Sequence, residues 1–247
     1  MNKMSWYNYT WNPVWGCLDK CPYCFAREIA KRFAKQIVER QFKNYVIDET
    51  ISIYDIQKWK DEMEERLIYF LPVWLPENYK KPFPKKPSRI LVNSTGDIYF
   101  WQREWMQAVL EKIEKYPQHI FLFLTKFPVV YEEYEFPQNC WLGVTFTGGH
   151  GEESRLEEFG YVRKVRNRNL FFFLLEPFLD NYLFENYLLD IEWVIVGAQT
   201  NPYQLPKREW IEEIIKHTRE LEIKLFIKDN IYKAYPDLPV IKEFPAN

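Results

Sequence analysis

The chain has 247 residues, 33 Lys and Arg against 35 Asp and Glu, and a formal net charge of −2, which excludes a strongly basic nucleic-acid packager and an acidic tail protein. An apolar share of 47% excludes intrinsic disorder, and 10 Trp, 17 Tyr and 19 Phe predict a core built largely from rings. Met1–Tyr9 lacks the apolar stretch of a secretory signal and no apolar run approaches about 20 residues, so the expectation is one cytoplasmic domain over residues 1–247 with no membrane span.

In chain order, Met4–Asn12 reads as a short strand, and three cysteines follow at once. Phe25, Ile29, Phe33 and Ile37 then recur every four residues, predicting a helix that lies on a sheet. Residues 45–88 break the rhythm and read as an insertion. It holds a charged helical piece, Tyr54–Phe70, and a proline-rich stretch. Its Lys80, Lys81, Lys85 and Lys86 either touch phosphates or, as the preferred reading, sit on a solvated linker.

Beyond the insertion, apolar runs at Arg89–Asn93, Ile120–Leu124, Trp141–Phe146, Leu170–Leu175, Trp193–Gly197 and Lys224–Lys228 predict strands buried on both faces. They begin 21 to 31 residues apart, the length of one βα unit. Two more helical stripes lie between them: Trp101, Trp105, Val109 and Ile113, then Trp210, Ile211, Ile214, Ile215 and Leu221. The stretches Val129–Gln138 and Asp180–Asp190 show no clear period, and Arg163, Lys164, Arg166 and Arg168 form a basic run. Counting the first short strand, the fold class is α/β, a partial TIM-like (β/α) barrel of about six or seven parallel strands with the insertion after its first helix.

In such folds ligands sit at the C-terminal strand ends. Those ends here are Asn93-Ser94-Thr95-Gly96-Asp97, Thr125-Lys126, Gly143 to Thr147, Glu176-Pro177, Gly197-Ala198-Gln199-Thr200 and Lys228-Asp229-Asn230. Glu176 is a carboxylate after six apolar residues, and Lys126 and Lys228 are placed to pair with it or to bind a carboxylate or phosphate of a substrate. His150, in a glycine-rich loop, reads as a surface histidine, and Cys140 as a buried small hydrophobe.

The most informative segment is Cys17-Leu-Asp-Lys-Cys21-Pro-Tyr-Cys24, a C-x3-C-x2-C spacing with Tyr23 before the last cysteine and a helix starting directly after it. A closed zinc site needs four ligands, and Cys140, His119, His150 and His217 remain open as a fourth. A [4Fe–4S] cluster on three thiolates keeps one iron for an external ligand.

This spacing resembles the signature of the radical S-adenosylmethionine superfamily. The resemblance implies a [4Fe–4S] cluster on Cys17, Cys21 and Cys24, with Tyr23 as the signature aromatic. It also implies a cosubstrate, S-adenosylmethionine, reductively cleaved to a 5′-deoxyadenosyl radical that abstracts hydrogen from a substrate. A flavodoxin- or ferredoxin-like reductant is implied as partner. The loop Asn93, Ser94, Thr95, Gly96 and Asp97 would hold the methionine amine, Thr145 and Thr147 the ribose, and Gly197 and Gln199 the adenine. Glu176, Lys126 and Lys228 would meet the substrate. Nucleic acid or a nucleotide is the class hinted at by the basic stretches and the phage-like resemblance described next. WNPVWGC, VNSTGD, FLTKFP, CWLGVTF, LLEPF, WVIVGAQT and FIKDN are similar, in the same order, to segments of an uncharacterised phage-associated family of three-cysteine, radical-SAM-like proteins. That family has a longer gap between its first two cysteines and Gly-Gly-Glu-Ser where this chain has Gly197-Ala198-Gln199-Thr200. The alternative is a zinc- or cluster-stabilised protein that binds nucleic acid or senses without radical chemistry.

Overall fold

The computed structural model describes residues 5–43, 52–148, 152–165, 168–181, 191–200 and 202–246. Its main sheet has seven strands: β1 (Tyr9–Trp11), β2 (Arg89–Val92), β3 (Ile120–Thr125), β4 (Cys140–Phe146), β5 (Leu170–Leu175), β6 (Trp193–Val196) and β7 (Lys224–Ile227). They lie side by side in sequence order and every pairing is parallel. The sheet curls into a half-barrel, the partial TIM-like architecture expected from the recurrence of apolar runs. Each of those runs becomes a strand to within a residue at either end.

The apolar runs are buried on both faces because each face packs on a different cluster. Ile90, Phe121, Leu142, Phe173, Val194 and Leu225 face the helices. Leu91, Leu122, Trp141, Phe172, Trp193 and Phe226 alternate with them and form the other face, filled by Trp6 and closed by Phe244. Trp193 is fully buried there, 5.8 Å from Trp141 and 5.6 Å from Phe172 between ring centroids.

The helices are α1 (Phe25–Phe42), α2 (Ile53–Ile68), α3 (Pro76–Lys80), α4 (Arg103–Glu114), α5 (Glu153–Val165), α6 (Arg208–Glu220) and α7 (Asp229–Tyr232). Helices α4 and α6 bury Val109 and Ile113, and Ile211, Ile214 and Ile215, as their stripes predict, whereas Leu221, expected on the same stripe, is the C-cap of α6 and is exposed. The stripe expected on α1 is different. Phe25 and Phe33 are exposed; Ile37 is buried as expected, but it is joined by Ala30, Ala34 and Val38. The cause is the insertion. Ala34, Ile37 and Val38 pack with Leu67, Val73 and Leu75, so the small alanine side chains let α1 lie closely on the inserted segment.

The proline-rich stretch is therefore not a solvated linker. Val73–Trp74 pairs with Val14–Trp15 as a short antiparallel ladder, and the Asn78 side chain donates to the Asn12 carbonyl at 3.0 Å. Lys80 reaches Glu77 at 2.9 Å on its exposed side. In the basic run, Arg163 pairs with Glu192 at 3.6 Å, and Arg166 lies outside the described residues, as do His150 and residues 182–190. Residues 128–132 form a 3-10 turn. Among the described residues no helix is long and apolar enough to cross a membrane.

His119 sits at the N-terminal end of β3, fully buried among the rings of Phe83, Tyr116 and Phe121. Burial pulls its pKa below the ordinary value, against a weaker upward pull from the Pro84 backbone. The fold thus favours the neutral ring. Its contribution to stability is fully present above an unfolded-state pKa of about 6.5 and is lost as the pH falls through and below it. Urea midpoints of the wild type should drop between pH 7.5 and 5, and His119→Phe should flatten that stretch of the profile; an unchanged slope in the variant would assign the loss elsewhere.

Candidate functional site

The C-terminal ends of the strands open on a cleft of about 310 Å³. Cys17, Cys21 and Cys24 line it together with Asn93, Ser94, Gly96, Asp97, Lys126, Thr145, Glu176 and Lys228. Trp6, Tyr7, Phe70, Leu91, Leu124 and Leu174 give it apolar walls. The segment between β1 and α1 thus brings its thiols to the place where the polar strand ends converge.

The cysteine loop is fastened from both sides. Gly16 N donates to the Thr95 carbonyl at 3.1 Å and bridges Gly96, while Cys17 N donates to the Phe70 carbonyl at 2.9 Å. Gly16 has φ +109°, and a Cβ on either Gly16 or Gly96 would collide with backbone atoms of the facing segment. The Arg27 guanidinium donates to the Asp19 carbonyl at 2.6 Å and lies 5.5 Å from the Phe70 ring centroid. Cys24 is the N-cap of α1 and makes no side-chain capping bond, leaving the first amides of that helix turned to the loop.

Lys126 joins the loop to the sheet. Its Nζ lies 2.9 Å from Cys21 Sγ, 2.9 Å from Tyr23 Oη and 3.3 Å from Asp19 Oδ2. Burial works against its charge, but Tyr23 and Cys21 outweigh that and raise its pKa. Burial likewise opposes the Asp19 carboxylate, and donation from Cys21 and Lys126 still holds its pKa below the ordinary value. Burial, with added repulsion from Asp97, pushes the Cys17 thiol up to about 12, and burial also raises Cys21 and Tyr23. The free thiols of Cys17 and Cys21 are therefore protonated at neutral pH, and any cation these two bind must displace those protons.

The loop after β2 is held mostly by its own structure. Asn93 is in the left-handed region at φ 60° and is buried. With its amide nitrogen donating to the Val14 carbonyl (2.6 Å) and its oxygen accepting from Trp101 Nε1 (3.1 Å), its side chain is fully engaged. Asp97 accepts from Tyr99 N at 3.0 Å, Thr125 Oγ1 at 2.7 Å and Lys126 N at 2.8 Å, yet burial outweighs these donors and raises its pKa. Thr95 Oγ1 reaches the Val14 carbonyl at 3.4 Å. Ser94, whose N and Oγ both approach Asn12 Oδ1, is exposed at the mouth of the cleft.

Among the remaining sequence-predicted residues, Glu176 pairs with Lys228, not with Lys126. Gly197 lies beneath that pair, where a side chain would collide with both. Gln199 is buried with Nε2 donating to the Pro202 carbonyl at 2.8 Å, in a short ladder of 199–200 with 203–204. Gln199, Gly197 and Thr147 stand outside the residues lining the cleft. A double-mutant cycle on Glu176→Gln and Lys228→Met should return a coupling of about 1 kcal/mol in chemical denaturation, since the pair is only partly exposed. A coupling of zero would make it a solvated contact.

Sequence reasoning missed Glu152. Its Oε2 accepts from Thr147 N (2.8 Å) and Gly148 N (3.0 Å), closing the loop after β4. An acidic residue beside a helix start was the available signal. Tyr7 also lines the cleft, and burial with the nearby Glu176 charge raises its pKa. Cys140 and His119 are buried at the opposite ends of β4 and β3, roughly 15–20 Å of strand from the cleft at about 3.3 Å per residue. His217 is on α6 beside Glu220 at 3.7 Å.

Among the described residues, no three or more His, Cys, Asp and Glu side chains converge around a single metal ion. The donor set is instead three soft thiols spread around one cleft, with a lysine ammonium against one sulfur and a helix N-terminus beneath another. Soft thiolates as a class suit zinc or an iron–sulfur group better than a lone hard cation. No curated protein and no solved structure matches the chain. A family profile matches residues 1–234, and the chain belongs to that family, described as Protein of unknown function (DUF5131).

Proposed function

We propose that this chain is a radical S-adenosylmethionine enzyme of a reducing cytoplasm, with Cys17, Cys21 and Cys24 holding a [4Fe–4S] cluster. The observation that carries the reading is the meeting of the three motif cysteines with the polar C-terminal strand ends of a parallel half-barrel in one cleft. When bound, the cluster would deliver an electron to S-adenosylmethionine, giving methionine and a 5′-deoxyadenosyl radical that takes a hydrogen atom from the substrate.

The chain's own residues position and shield. Lys126 sets a permanent positive charge at Cys21 Sγ, which offsets thiolate charge and fixes the loop. Ser94 and the Gly96 backbone offer acceptors at the cleft mouth for an ammonium, and Thr145 offers a hydroxyl from β4. Trp6, Tyr7, Leu91, Leu124 and Leu174 exclude water from the floor. Glu176 and Lys228 form a charged wall that can orient a polar substrate. A flavodoxin- or ferredoxin-like donor supplies the electron.

The test is anaerobic purification, reconstitution with iron and sulfide, reduction, and EPR with and without S-adenosylmethionine. A reduced [4Fe–4S] signal that shifts on addition, with 5′-deoxyadenosine by mass spectrometry, is the expected result. Tightly bound zinc, or a cluster whose spectrum ignores S-adenosylmethionine, would replace this reading with a zinc- or cluster-stabilised protein that binds nucleic acid or senses.

A further inference from the structure

We infer that Tyr99 is a stacking platform for the flat base of a nucleotide at the lip of the cleft; as a statement of substrate class, this rests on the reading above. Tyr99 comes two residues after Asp97 and Phe127 one residue after Lys126, and both Asp97 and Lys126 line the cleft. The rings of Tyr99 and Phe127 stack with centroids 4.6 Å apart and planes 25° apart. Phe100 meets them edge-on at 5.1 and 5.4 Å. The Arg155 guanidinium lies 5.5 Å from the Phe127 centroid, is tied to Glu152 at 3.2 Å, and is close enough to act on the Asp19 carboxylate of the cysteine loop.

The ledge is thus built from the segments after β2 and β3 and the first turn of α5, and is fixed before any ligand arrives. Tyr99 N is capped by Asp97 Oδ1, its ring is held on one side by Phe127 and at the edge by Phe100, and the residue is still 41% exposed. A solitary surface tyrosine loses rotamer freedom when it stacks on a ligand. Here the fold has already removed that freedom, so a flat ring gains the contact at small entropic cost. Every nucleobase has a face that can stack on such a ring. Four residues on, Arg103 is exposed; its guanidinium lies 5.8 Å from the Tyr134 ring centroid and pairs with no carboxylate among the described residues, so its charge can still meet the phosphate that accompanies a base.

The test measures binding by the full chain. A labelled short single-stranded oligonucleotide is followed by fluorescence anisotropy, and nucleoside monophosphates by calorimetry. Tyr99→Ala should weaken binding about tenfold, Tyr99→Phe should keep it, and an abasic strand of equal length should bind about tenfold more weakly than the strand with bases. Binding of the strand alone, or of the monophosphate alone, supports the platform and identifies whether the base comes from a polymer or a free nucleotide. Equal binding by Tyr99→Ala, equal binding of the abasic strand, or no binding of either probe overturns it. Measuring 5′-deoxyadenosine in the same preparations separates the two readings. Cleavage without base binding removes the platform alone; base binding without cleavage removes the radical chemistry and leaves the platform.

Discussion

Changing Cys17, Cys21 or Cys24 singly to Ala is expected to abolish iron retention and any response to S-adenosylmethionine, while leaving the fold in place. All three are only partly buried and stand on a loop rather than in the core, so each change should alter stability by about 1 kcal/mol or less. On the proposed reading each would supply one of three soft donors, and among the described residues no other group of three or more His, Cys, Asp and Glu could hold a metal in their place. Cys140 is the internal control. It is fully buried at the start of β4, where burial drives its thiol pKa well above the ordinary value. Cys140→Ala should keep full iron content, and Cys140→Ser should lower stability by about 1–3 kcal/mol by burying a hydroxyl without a partner. Iron and sulfide analysis beside thermal unfolding checks both halves. Retention of iron by any of the three loop variants, or its loss in Cys140→Ala, would sink the assignment of the motif.

The contrast between these cysteines was readable from the sequence, because it depends on spacing and on strand order. Each apolar run of five or six residues ending in polar ones read as a buried parallel strand with its polar end at the rim. That placed Asp97, Lys126, Thr145, Glu176 and Lys228 on one side of the sheet, and the cysteines followed because they come directly after β1. What could not be read was which neighbour each rim residue would choose. Lys126 and Lys228 follow β3 and β7 with the same local pattern, yet one reaches back to Cys21 and Asp19 while the other meets Glu176. That choice depends on the curl of the sheet, which no local pattern encodes.

The same limit applies to Asn93 and to the insertion. Asn93 looked like a ligand because it ends a strand, and its left-handed backbone and its bonds to Val14 and Trp101 appear only once β1 and β2 are paired. The helix stripe on α1 was read against a sheet, but its partner is the insertion, where alanines pack better than phenylalanines. Proline content suggested a linker. Proline also suits the first turn of a short helix, and Pro76 occupies that place in α3.

The insertion's contact with the cysteine loop yields the second large expected effect. Gly16→Ala should destabilise the chain by about 2–5 kcal/mol, combining the cost of a side chain in a positive-φ conformation with that of overpacking. At φ +109° the new Cβ would run into the Leu71 carbonyl, which belongs to backbone and cannot rotate away. On the other side Gly16 is pressed on Gly96 and bonded to Thr95, so the segment cannot retreat either. The strain must therefore move the loop carrying Cys17, and iron retention should fall together with the melting temperature, which should drop by roughly 5–15 °C for a chain of this size. Gly160→Ala makes the same chemical change in the middle of α5, where nothing lies within 4 Å of the added methyl group. There it should raise stability by about 0.5–1 kcal/mol through helix propensity and leave iron content unchanged. Opposite signs for one substitution at two glycines would show that the insertion holds the cysteine loop in place. A Gly16→Ala protein that melts with the wild type and retains iron would show that the loop is free to move.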